Sequence, residues 1–150
     1  MNSFWRAFIK RASPPKFDVL RSLGLKDDEY CILGGAVELL GIRASNDLDV
    51  VVTPQALARI TKEKGLRTQR SFLGSRVVQY NGVEMFTDDG FGKTAQNLIK
   101  NARKVGGFMV VSVPDLLAWK RKLKNQPGRN PLKLKTDASD IKALEVMTHA

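Results

Sequence analysis

The stretch Tyr30–Thr53, YCILGGAVELLGIRASNDLDVVVT, decides how the rest of this chain is read. The apolar run Tyr30-Cys31-Ile32-Leu33 stops at the pair Gly34-Gly35, and a short apolar helix is predicted from Ala36 to Leu40, closed by Gly41. Ser45-Asn46 has turn chemistry and leads into Asp47-Leu48-Asp49-Val50-Val51-Val52, which alternates as a strand does before becoming wholly apolar. Residues two apart on a strand share a face, so Asp47 and Asp49 point one way while Leu48 and Val50 point the other. Two carboxylates side by side at the start of a buried strand are costly unless a cation lies between them.

Outward from this stretch, the chain reads as short strands crossed by helices. Lys16–Leu25 has helical apolar spacing, and a helix stopped near Gly24 is expected there. Thr53-Pro54 is a strong helix start, with Thr53 as cap and Pro54 at the first helical position, and that helix should end at Gly65. Arg76–Tyr80 and Val83–Thr87 are joined by Asn81-Gly82, a hairpin signal. A polar helix is expected over Lys93–Lys104, a further apolar run over Phe108–Val111, a helix opening at Ser112-Val113-Pro114-Asp115, a loop over Asn125–Pro131 and a last helix over Asp137–Met147. The fold class is α+β with an α/β-like layout, a small mixed sheet flanked by helices. Residues 1–15 form a separate basic amphipathic segment with Phe4, Trp5, Phe8 and Ile9 at helical spacing, expected to dock or fray rather than target a membrane. Residues 16–150 form the domain.

The 150 residues suit one domain burying roughly 68–70% of its unfolded surface. The single cysteine, Cys31, sits in an apolar run and excludes a disulfide framework, and the only histidine, His149, leaves little for histidine catalysis. No apolar stretch reaches transmembrane length, and a cytoplasmic location is expected. The net charge of +10 is unevenly spread: from Gly90 to Thr136 there are eleven Lys or Arg and one acid, Asp115. Such a field favours a polyanion, either nucleic acid or nucleotide phosphate.

The pieces combine into a chemistry. A Gly pair lets backbone approach a ligand, and a helix N-terminus offers free N–H groups to phosphate oxygens. Two aspartates can hold Mg²⁺, which prefers carboxylate oxygens and bridges to substrate phosphates. A third carboxylate from a neighbouring strand would allow two metals to clamp a phosphoryl displacement. Gly-Gly and Asp-x-Asp are each weak signals; together, twelve positions apart with a helix between, they are moderately specific.

The order GGAVELLG…NDLDVVV resembles the active-site stretch of the nucleotidyltransferase superfamily related to DNA polymerase beta. It is most similar to the small Gly-Gly branch that includes lincosamide and aminoglycoside nucleotidyltransferases and AbiEii-type toxins. Ser112-Val113-Pro114-Asp115-Leu116, then Lys120, then Asp137-Ala138-Ser139-Asp140-Ile141 resemble that branch's tail, so the likeness covers about Asp27–Leu144. Thr136 departs from it, standing where a Lys is expected, with Lys135 beside it. The resemblance implies transfer of a nucleoside monophosphate from an NTP such as ATP to a hydroxyl acceptor, with Mg²⁺ as cofactor and pyrophosphate leaving. It implies that Gly34 and Gly35 form the phosphate-binding turn, that Asp47 and Asp49 are the metal pair, and that Lys120 reaches the triphosphate. Asp140 would order the helices. Glu84, pointing opposite to Val83 and Met85, is preferred as third carboxylate over Asp88.

The residues themselves also admit plainer roles: Asp47 as a turn residue, Gly34-Gly35 as an ordinary tight turn, Glu84 as an exposed strand residue. Lys120, with Arg121, Lys122 and Lys124, reads equally as a solvated helix face. Trp119 reads as a packing residue. The basic stretch from Lys93 to Lys135 tilts the acceptor toward RNA or a tRNA end rather than a small molecule. The rival reading is a catalytically silent module of the same fold that binds nucleic acid or a protein partner.

Overall fold

The structure, a computed structural model, describes residues 15–70 and 75–149. The basic amphipathic segment expected over residues 1–15 lies, but for Pro15, outside the described residues. In order, the elements are α1 (Lys16–Ser22), β1 (Tyr30–Gly34), α2 (Ala36–Leu39), β2 (Asp49–Val52), α3 (Pro54–Lys64), β3 (Thr68–Arg70), β4 (Arg76–Tyr80), β5 (Val83–Phe86), α4 (Ala95–Lys100), β6 (Arg103–Val105), β7 (Phe108–Val110), α5 (Val113–Lys124) and α6 (Pro131–His149).

The seven strands form one mixed sheet in the order β3-β4-β5-β2-β1-β7-β6. β1 lies antiparallel to β2 and parallel to β7, while β2 lies parallel to β5. This explains the apolar runs of the opening stretch. β1 and β2 are central strands, and every residue of β1 and the three valines of β2 are buried. Cys31 is part of that core; burial first, and the charge of Asp115 second, pushes its thiol up to about 12. Among the described residues no helix is long and apolar enough to cross a membrane.

Local chemistry explains the element ends. The Thr53 hydroxyl accepts from the Ala56 N–H at 3.3 Å, and α3 stops at Gly65 in the left-handed region (φ 62°). Asn81 and Gly82 carry positive φ and turn the β4–β5 hairpin, with Tyr80 opposite Val83. Ser112 caps α5 by accepting from the Asp115 N–H at 3.2 Å.

Three expectations need correction. The polar helix expected over Lys93–Lys104 is cut to α4, because Arg103–Val105 pairs with β7 across the Gly106-Gly107 turn as an edge strand. The last helix starts at Pro131, six residues before Asp137, since Asn130 Oδ1 accepts from the Leu132 N–H at 2.8 Å and caps it. Asp47 stands two residues before β2 rather than within it. The first helix, by contrast, ends where expected, at Ser22 with Leu23 as its cap residue and Gly24 following at φ 66°.

Candidate active site

β1 and β2 meet with a bulge between Ile32 and Gly34 that sets Gly34 opposite Asp49. A Cβ on Gly34 would stand 2.0 Å from Asp49 Oδ2 and 2.6 Å from its Cγ. One on Gly35, whose φ of 97° already favours glycine, would stand 2.6 Å from the Asp47 carbonyl oxygen. The two glycines and the two aspartates are therefore one steric unit. The missing Cβ atoms leave the space that the Asp49 carboxylate and the Asp47 carbonyl occupy.

That interlock makes a prediction. Gly34→Ala should displace the Asp49 carboxylate and destabilise the fold by roughly 1–3 kcal/mol, the usual cost of overpacking. In an Asp49→Gly background most of the penalty should vanish, because the clashing atoms belong to Asp49. Denaturant melts of the four proteins in the cycle measure this; additive effects would refute the interlock.

The parallel pairing of β2 and β5 sets Asp49 beside Glu84 and Val50 beside Met85. Glu84, Phe86 and Asp88 follow at two-residue spacing and all face the cavity. Burial, then the negative charges of Glu84 and Asp47, push the Asp49 carboxyl up to about 7; the charge of Lys133 opposes this, and a hydrogen bond with Glu84 adds to it. Glu84 Oε1 also accepts from Gln79 Nε2 at 3.0 Å. Asp88, the competitor, is engaged by its own turn: Oδ1 accepts from Ser75 Oγ at 2.9 Å and from the Gly90 N–H at 2.7 Å.

The opposite wall is basic. Arg43, Lys120, Arg129 and Lys133 line the same cavity of about 190 Å³. Asp140, wholly buried, receives both Arg43 Nε (2.8 Å) and Nη2 (2.7 Å) and lies 3.1 Å from Lys120 Nζ. Asp137 receives Arg129 Nε at 3.0 Å and Nη2 at 3.2 Å, with Lys120 Nζ 3.6 Å away. Lys120 is 7% exposed, which corrects its reading as part of a solvated helix face. Trp119 packs here too, donating from Nε1 to the Asp89 carbonyl at 3.1 Å. All six sequence-predicted site residues, Gly34, Gly35, Asp47, Asp49, Glu84 and Lys120, line this one cavity.

The arrangement of sheet and helices matches a solved structure. Thermotoga maritima TM1012, a protein to which nucleotidyltransferase activity is ascribed, superposes with a TM-score of 0.53, over 71% of this chain and 83% of that one, at 19% identity. This chain is a nucleotidyltransferase-fold domain. The solution structure of the antibiotic-resistance factor ANT(2'')-Ia also aligns, over 81% of this chain and 82% of that one, at 13% identity and a TM-score of 0.43. No family model and no curated protein matches the sequence.

The donor set of this nucleotidyltransferase-fold site fits a magnesium ion in one specific sense. Among the described residues no three His, Cys, Asp or Glu side chains stand together as a ready metal cage. Mg²⁺ does not require one, since it is held by one or two carboxylates completed by water and substrate phosphates. The Asp47–Asp49 pair, with Asp49 pushed to about 7 by burial and then by neighbouring like charges, supplies oxygen donors whose ionised form a cation would stabilise.

Three basic residues of the cavity wall escaped the sequence: Arg43, Arg129 and Lys133. Arg43 meets Asp140 from 97 residues away, a pairing that carries no local pattern. Arg129 and Lys133 were counted only as part of a charge run.

Proposed function

We infer that this domain is a metal-dependent nucleotidyltransferase that moves a nucleoside monophosphate from an NTP to a hydroxyl acceptor and releases pyrophosphate. The observation that carries the reading is the interlock of Gly34-Gly35 with Asp47 and Asp49, facing a wall of Arg43, Lys120, Arg129 and Lys133 across one cavity. Asp47 and Asp49 would hold Mg²⁺, with Glu84 as third carboxylate; bound there, the metal supplies charge neutralisation of the phosphate oxygens. The Gly34-Gly35 turn lets the polyphosphate approach the backbone. Lys120, steadied by Asp137 and Asp140, faces the phosphates from the other side.

An RNA end is the favoured acceptor. Eight of the eleven bases between Gly90 and Thr136 are exposed, Lys100, Arg103, Lys122, Lys124 and Lys135 among them, a surface suited to backbone phosphates. The silent-module reading draws on the lack of a preformed three-donor cage among the described residues and on the Gln79 hold on Glu84.

The test is incubation with Mg²⁺, each labelled NTP in turn and total RNA, beside the Asp47→Ala/Asp49→Ala variant. Label on RNA or protein that the variant fails to transfer supports the enzyme and names donor and acceptor class. If no label transfers, calorimetry with Mg²⁺ and nucleotide decides: binding keeps a small-molecule transferase in play, and no binding leaves the silent module.

A further inference from the structure

Asp47 stands outside β2, on an exposed turn, so nothing in the sheet ladder fixes its position. Three groups outside the sheet do. Lys16 Nζ, from the first residue of α1, donates to the Ser45 carbonyl, lies 3.5 Å from the Asp47 carbonyl oxygen and pairs with Glu38 Oε2 at 3.3 Å. Glu38 Oε1 in turn accepts from the Ser45 N–H at 3.1 Å, and Ser45 Oγ accepts from the Asp47 N–H at 3.2 Å. The Asp47 carbonyl oxygen also stands 2.6 Å from where a Cβ on Gly35 would be. The carbonyl thus has both a close-packed glycine and an ammonium group as neighbours.

An isolated surface ion pair is worth little, about 0–1 kcal/mol. This one differs in kind. An ammonium has three donors and no acceptor, and here it faces three oxygens on two elements of the site. The Lys16 side chain is only 20% exposed, which limits screening. Its partners are the backbone of the turn that presents Asp47 and the acid on α2 that braces the same turn.

We propose that Lys16 is a positioning residue for Asp47: through the Ser45 and Asp47 carbonyls and Glu38, helix α1 clasps the turn and sets where that carboxylate stands. The metal-affinity part of this inference rests on the function proposed above, whereas the clasp itself does not. Lys16 touches neither substrate nor metal. It acts by removing alternative conformations of residues 45–47, so that the carboxylate pays no ordering cost when a cation arrives.

The experiment has two arms, run on the full chain as wild type, Lys16→Met, Lys16→Arg and Glu38→Gln. In the metal-free arm, amide hydrogen exchange is followed by NMR. Lys16→Met should speed exchange at Ser45 and Asp47 about tenfold, the scale of one lost charge-assisted hydrogen bond, and leave Val50–Val52 unchanged. Glu38→Gln should act in the same direction and more weakly, and Lys16→Arg should restore protection. In the second arm, Mn²⁺ alone is titrated by water-proton relaxation; its affinity should fall about tenfold in Lys16→Met and recover in Lys16→Arg. Wild-type exchange rates at Ser45 and Asp47 in folded Lys16→Met would overturn the clasp. Faster exchange with unchanged Mn²⁺ affinity would overturn the positioning role. A wild-type protein that binds no Mn²⁺ while the exchange arm behaves as expected would overturn the metal reading and leave the clasp standing.

Discussion

Asp49→Asn is expected to lower nucleotidyl transfer at least a hundredfold while making the metal-free protein more stable at pH 8, a loss of function that raises the melting temperature. The reason lies in the carboxyl that burial, Glu84 and Asp47 push up to about 7. The ordinary value of 3.8 applies to the unfolded chain, so the folded state binds the proton more tightly. Between these two values the folded protein holds more protons than the unfolded one, and stability falls as pH rises. The penalty is absent below pH 4 and complete above about 7, on the order of 2–4 kcal/mol at its fullest. Asparagine cannot ionise and should not show it.

Two measurements separate the parts. Urea melts of both proteins in EDTA from pH 4 to 8 should converge at the acid end and diverge at the alkaline end, with Asp49→Asn the more stable. Adding Mg²⁺ at pH 8 should stabilise the wild type and leave the variant unmoved, because a bound cation removes the repulsion that asparagine has already removed. A variant no more stable than wild type at pH 8 would show that the carboxylate is already neutralised by something else, Lys133 being the nearest suspect.

The unequal legibility of the sequence follows from where each feature gets its stability. Gly34-Gly35 and Asp47-x-Asp49 could be read because each is a local pattern, and because the bulge that sets Gly34 against Asp49 joins segments only fifteen residues apart. The Asn81-Gly82 hairpin is local for the same reason, since positive φ at both positions is written into the residue types. β3 and β6 were missed because they are edge strands. Thr68, Gln69 and Arg70 are all exposed, as are Arg103 and Lys104, so neither shows the alternation that marks a half-buried strand. Their pairing is supplied by the neighbouring strand. Arg43 lies further still from legibility. It follows Gly41-Ile42 with no repeat or spacing to mark it, and its partner is on the last helix.

That last helix carries the second large effect. Asp140→Ala should cost about 3–5 kcal/mol, the usual result of removing one member of a buried ion network. Burial by itself would raise the Asp140 carboxyl; the hydrogen bond from Arg43 and the charge and hydrogen bond of Lys120 outweigh it and hold the group below the ordinary carboxylate range. Its stabilisation is therefore complete above pH 4 and is lost as pH falls through the lowered folded value. Truncation leaves Lys120 buried beside Asp137 alone, and frees the Arg43 guanidinium from its two-point grip. A stability loss alone does not say what the network is for. Replacing both partners, Lys120→Met with Asp140→Leu, removes the most buried ion pair together, leaves Asp137 with its Arg129 partner and Arg43 free to turn toward solvent, and recovers much of the loss with apolar side chains of similar volume. If the network serves only to hold α5 against α6, the double variant should bind a labelled nucleoside triphosphate as the wild type does. We expect instead that stability returns and nucleotide binding does not, because the basic wall of the cavity will have lost Lys120 and the anchor of Arg43. Melts and nucleotide titrations on the same preparations decide it, and wild-type nucleotide affinity in the stable double variant would remove Lys120 from the site.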